Sequence, residues 1–144
     1  FVSVYKEFGN MIQATELMLG DYVRVEVDDN EFDIDYICDI GYVPEWNDLG
    51  VITCHNGNEW LREGEIYPVP LTIEILEKNI FKEDKYGQMV LDEELGTSEI
   101  YIVLQEGDAC YWWCVGGQPI TKLKHVHQLQ HVLRLCNIQK EIQL

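Results

Sequence analysis

The stretch "DYVRVEVDDNEFDIDYI", residues 21–37, decides the fold. Its first half alternates: Val23, Val25 and Val27 share one side, with Tyr22, Arg24 and Glu26 on the other. Side chains along a strand point to opposite faces with period two, so this is a half-buried strand. The second half alternates again, with Phe32, Ile34 and Tyr36 opposed to Glu31, Asp33 and Asp35. Asp28, Asp29 and Asn30 stand between them as a tight connection, and the two strands make a hairpin with one acidic face.

Working outward, "GVITCH" reads as a third strand, and "NEWLREGEIYPV" as a fourth and a short fifth. Loops fall at "VPEWNDLG" and at "HNGN", whose Asn56-Gly57 suits a turn. Short strands with polar connections predict a small antiparallel, SH3-like β-barrel over residues 12–67. Residues 1–11 form an extension, since Met11 is a natural place for translation to start.

Pro68 and Pro70 hold the chain extended and mark a boundary. Thr72 is a good helix cap, and Ile73, Leu76 and Ile80 recur at helical spacing, so a helix runs from about 73 to 80. "QMVL", "EIYIVLQ" and "ACYWWCV" are strands, joined by "DEELGTS" and by a tight "EGD" turn. "GGQP" breaks the pattern, "ITKL" is a short extended piece, and "KHVHQLQHVLRLCNI", residues 124–138, is a closing helix. "KEIQL" reads as a final edge strand. The expected fold class is α+β: a small antiparallel barrel-like N-terminal unit, then an antiparallel sheet with two helices over residues 68–144.

The chain of 144 residues carries 10 basic and 26 acidic side chains, a net charge of −16. That field repels phosphate backbones, which excludes ordinary nucleic-acid binding. No run of 18 apolar residues is present to span a membrane as a helix. The five cysteines, an odd number at irregular spacing, read as reduced thiols in a cytoplasmic protein rather than a disulfide framework.

Three segments, "ATELMLGDYV", "YPVPLTIEILEKNIF" and "LKHVHQLQHVLRL", resemble a group of small proteins encoded by anaerobic gut bacteria and by their phages and prophages. Members of that group carry "ELRIGNYV", then "PIPLTEEIL", then "KYVHQLQNLYFAL". Order and spacing agree over residues 12–136, and "VHQLQ", residues 126–130, is the most specific part. The resemblance implies a phage or prophage setting in a bacterial cytoplasm, and it implies no activity. His125 stands where the group has tyrosine, and His131 where it has asparagine.

In the closing helix, Val126, Leu129, Val132, Leu133 and Cys136 fall within about 120° of one another and form the buried stripe. Gln130, His127, Arg134 and His131 line the opposite, solvated side. His127 and His131 have the i,i+4 spacing of metal ligands, but Arg134 shares their side and no acidic residue lies between Asp108 and Glu141, so no metal is assigned.

Charge along the chain is polarised. Residues 117–144 hold four basic side chains against Glu141, a balance of +3, whereas residues 1–116 hold six against 25, a balance of −19. Lys122 and Lys124 precede a helix N-terminus, where backbone N–H groups favour anions. The candidate ligand-binding residues are therefore Lys122, Lys124, His127, His131 and Arg134, with Trp113 available for stacking. The same basic patch also fits the acidic half of a second copy.

Other chemistry is poorly provided for. Cys110 and Cys114 of "CYWWCV" share one strand face about 13 Å apart, too far for a disulfide or one metal. Trp112 and Trp113 must point to opposite faces, and a helix is at hand to cover the sheet, so both faces are expected to be buried. "DDNEFDID" fails as a calcium loop in both frames, with Asp33 or Ile34 at the glycine position. Neither Ser3 nor Ser98 lies in a nucleophile elbow, and no cofactor fingerprint is present.

The expectation is a non-enzymatic phage or prophage accessory protein that binds a host or phage protein. Two alternatives stand beside it: a sponge for an anionic nucleotide-type defence signal, and an acidic mimic of nucleic acid acting through Asp28 to Asp39.

Overall fold

The computed structural model describes residues 12–79, 81–83, 85, 88–91, 100–105 and 110–144. The extension 1–11, the "DEELGTS" loop and the "EGD" turn lie outside the described residues. The chain divides into two compact units, Phe1–Val69 and Pro70–Leu144. The fold is α+β, with one antiparallel sheet in each unit.

The first unit holds a 3-10 turn, Ala14–Glu16, and strands β1 (Tyr22–Asp28), β2 (Glu31–Val43), β3 (Asp48–Thr53) and β4 (Ile66–Pro68). Their order is β3-β2-β1-β4. β2 is long because it serves two ladders: residues up to Tyr36 pair with β1, and residues from Ile37 pair with β3. A bulge between Ile37 and Asp39 marks the change of partner. Ile12, Leu17, Val23, Val25, Ile37, Val51, Leu61 and Ile66 fill the core.

The expected barrel is not closed. β3 and β4 are the outer strands of an open sheet. The segment between them pairs with β3 through a single bridge, Val51 to Leu61, which exchange two backbone hydrogen bonds of 2.9 and 2.7 Å. Gly64, at φ 93°, turns the chain before a longer ladder can form.

The facing of β2 is also a correction. Val25 pairs with Asp33 and Val23 with Asp35, so the acidic side of β2 shares the valine face and the apolar side does not. The cause is a second bulge, between Glu26 and Asp28, which inserts Val27 into β1. Asp28 pairs with Glu31 across the Asp29-Asn30 turn, and an unbulged continuation would have set Val25 opposite Ile34. A one-residue slip in register exchanges the faces of a strand.

The second unit holds α1 (Ile73–Lys78), the meander β5 (Phe81–Glu83), β6 (Met89–Leu91), β7 (Ile100–Gln105), β8 (Cys110–Val115), β9 (Gln118–Leu123), and α2 (Val126–Leu135). Thr72 caps α1, its hydroxyl accepting from the Ile75 N–H at 3.3 Å. Gly116 and Gly117, both at positive φ, are the two-residue turn between β8 and β9. That turn lets β9 start at Gln118, earlier than "ITKL" implied. β8 lies between β7 and β9, with Tyr111 and Trp113 buried on one side and Cys110 and Cys114 on the other.

The closing helix ends at Asn137, whose φ of 57° reverses the chain. Ile138 N–H donates to Leu133 O at 2.8 Å and Asn137 N–H to Arg134 O at 3.0 Å, which satisfies carbonyls left over at the helix end. "KEIQL" is not an edge strand: residues 140–144 have no regular structure. Their polar groups go instead to the end of α1, through Asn79 and Lys78.

Candidate functional site

The register shift in the first unit leaves an apolar face turned outward. Ile34 is 49% exposed and Tyr36 38% exposed. Tyr22 packs edge-on against Tyr36 at 6.5 Å, and His55 against its ring at 5.4 Å. Further along, Phe32 meets Tyr67 edge-on at 5.0 Å. Arg24 lies over the Phe32 ring at 5.3 Å while its Nε donates to Pro68 O at 2.8 Å. Each ring is fixed by a neighbour, so the face is a preset aromatic surface.

Asp35 holds this face from behind. It is 4% exposed, and its carboxylate accepts from the Tyr36 N–H at 2.8 Å and from the His55 N–H at 3.1 Å. His55 Nδ1 lies 3.3 Å from the same carboxylate. These bonds offset the cost of a buried carboxylate and fix the His55 ring beside Tyr36.

Cys38, the extra residue of the β2 bulge, and Cys54 complete the patch. The Cys54 thiol hydrogen-bonds both Cys38 and Tyr36. That bond, with loss of solvent and the nearby charges of Cys54, Asp35 and Asp39, pushes the Cys38 thiol up to about 11. The Tyr36 hydroxyl is raised for the same leading reason. Cys38 is exposed, and the raised pKa lowers the fraction present as the reactive thiolate.

The six side chains singled out in the carboxy-terminal half do not share one open face. Trp113 is 2% exposed and packs against Phe81 at 6.1 Å, so it has no face for a ligand. Trp112 is the half-buried tryptophan, with Lys122 Nζ 5.2 Å from its ring across the β8–β9 ladder. His127 is 2% exposed and Gln130 is buried, so the solvated side expected for the helix is only partly solvated. Both sides of its first turns are covered, and only Arg134 and Leu135 in its last turn are exposed.

His127 stacks on His125 at 5.6 Å and meets His131 edge-on at 5.7 Å. Burial lowers its pKa to about 3, helped by the two neighbouring imidazoles. At the helix start, Gln128 Oε1 accepts from the Lys124 N–H at 2.7 Å and the His125 N–H at 3.1 Å, so part of the expected anion position is occupied internally. Lys122, Lys124 and Arg134 remain exposed and His131 half-buried.

Among the described residues no group of three or more His, Cys, Asp or Glu is placed to hold a metal, and no helix is long and apolar enough to cross a membrane. All five cysteines are free thiols. No family model matches the chain, and neither a curated protein nor a solved structure matches it significantly.

Val27, Ile34 and Tyr36 were missed as surface residues because alternation cannot reveal an inserted residue. The available signal was Asp35: a carboxylate on a strand otherwise continuing to Ile37 hints that the acidic side turns inward.

Proposed function

We propose that the chain is a non-enzymatic accessory protein of a phage or prophage, acting in a bacterial cytoplasm by binding a host or phage protein. The observation that supports this most is the outward face of the first unit, with Ile34 and Tyr36 open to solvent and Tyr22 and His55 braced against Tyr36. Contiguous exposed apolar surface marks interaction sites, and tyrosine supplies large contact area at low entropic cost. The resemblance of "VHQLQ" and its companion segments supplies the phage setting. The anion-binding alternative keeps Lys122, Lys124 and Arg134 as exposed groups but loses Trp113 as a stacking platform.

Affinity capture of host lysate on the full chain tests the reading. A defined protein should be retained by the natural sequence and lost with Ile34→Ser/Tyr36→Ser, whose circular dichroism should be unchanged. An identical retained set for both proteins overturns it.

A further inference from the structure

Two clefts of the first unit share part of their lining. One, of about 310 Å³, is lined by Val25, Val27, Asp33, Ile34, Asp35, His55 and Asn56. The other, of about 530 Å³, shares Val25, Val27 and Asn56 and is rimmed by Glu26, Asp28, Asp29, Glu59 and Glu65. Both are lined by Val27, the residue that the β1 bulge inserts, which is 48% exposed. With Ile34 it gives the smaller cleft two exposed aliphatic side chains.

The charge around these side chains selects an occupant. Residues 12–69 contain two basic side chains and 14 acidic ones, a balance of −12. Both arginines already sit on aromatic rings, Arg24 on Phe32 and Arg62 on Trp46, each at 5.3 Å. Of the rim, Glu65 meets Arg62 at 3.8 Å and Glu26 accepts weakly from the Asn30 N–H at 3.4 Å. An acidic or neutral segment laid on Val27 and Ile34 would desolvate the rim carboxylates without compensation, whereas a cationic one pairs with them.

We propose that an extended cationic segment of the partner, alternating aliphatic residues with Lys or Arg, docks across these two clefts on Val27 and Ile34. Alternate side chains of an extended segment point opposite ways, which suits exposed aliphatic side chains beside a charged rim. The proposal rests on the protein-binding reading above and names the chemistry of the partner.

Fluorescence anisotropy with labelled (Arg-Val)4 and (Glu-Val)4 on the full chain tests it without a lysate. (Arg-Val)4 should bind saturably, at least tenfold more weakly at 250 mM than at 25 mM salt, and (Glu-Val)4 should not bind. Val27→Ser/Ile34→Ser, and separately Asp28→Asn/Asp29→Asn, should each weaken binding at least tenfold. Glu45→Gln/Asp48→Asn, which removes the same charge away from the clefts, should change it less than twofold. Equal loss in the two charge variants, or indifference to Val27→Ser/Ile34→Ser, would mean diffuse attraction only and overturn the proposal. No binding of (Arg-Val)4, with a lysate protein still lost on Ile34→Ser/Tyr36→Ser, sinks the cationic occupant and leaves the protein-binding reading standing.

Discussion

Asn79 and Gln143 bind each other twice. Asn79 Nδ2 donates to Gln143 O at 2.9 Å, and Gln143 N–H donates to Asn79 Oδ1 at 2.7 Å. The same Nδ2 also reaches Ile75 O at 2.6 Å at the end of α1. One side chain thus terminates a helix and ties down residues 64 positions away. Asn79→Ala should lower stability by about 1–2 kcal/mol, as expected for lost hydrogen bonds that water partly replaces. Hydrogen exchange should show the Gln143 amide losing its protection.

His127 predicts an acid-sensitive contribution to stability. Its folded pKa is about 3, below the ordinary value of 6.5, because the buried ring resists charge. Between those values the unfolded chain binds the extra proton, so stability is lost as pH falls from 6.5 towards 3. The slope from this one group is at most about 1.4 kcal/mol per pH unit. Urea unfolding at pH 7 and pH 4.5 should show a larger loss for the natural protein than for His127→Gln. His125 and His131, which face the ring, remain in both proteins and cancel in the comparison.

Cys38 should be slow to react despite its exposure. The Cys54 thiol that hydrogen-bonds it is the main cause of its high pKa. Cys54→Ala removes that bond, so iodoacetamide should modify Cys38 several times faster at pH 8. Peptide mass spectrometry gives the rate, and an unchanged rate would show that another cause governs the thiol.

Gly41 and Gly50 face each other across β2 and β3, and tryptophans lie on them. A Cβ at Gly50 would come within 2.7 Å of Trp46 Cζ3 and 3.0 Å of Val43 Cγ2, and one at Gly41 within 2.9 Å of Trp60 Cη2. Gly50→Ala should cost about 1–3 kcal/mol, the usual range for overpacking. Gly41→Ala should cost less, because only the far edge of one indole must yield. Denaturant titrations followed by tryptophan emission measure both.

Much of the fold could be read from period and punctuation. Alternation located β1 and the first half of β2, and Thr72 announced α1 through a hydroxyl placed to meet a helix N–H. What could not be read depended on single inserted residues. Val27 and Cys38 are bulges, and Ile120 is skipped between Thr121 and Pro119 in the β8–β9 register. Each re-aims side chains without altering the residue pattern, so the apolar set Phe32, Ile34 and Tyr36 looked like core. The helix histidines failed for another reason. A wheel gives the angle of His127 but not how many neighbours surround the helix, and a polar ring on the open side of the wheel does not by itself imply solvent.

β2 gives hydrogen bonds to β1 along its first part and to β3 along its second. β1 and β3 do not pair with each other, so both lose their ladder to β2 if that one strand lets go, and β4 adds only three pairings to β1. The first unit is therefore expected to melt cooperatively, with no hairpin within it surviving as a smaller folded fragment once the shared strand is lost.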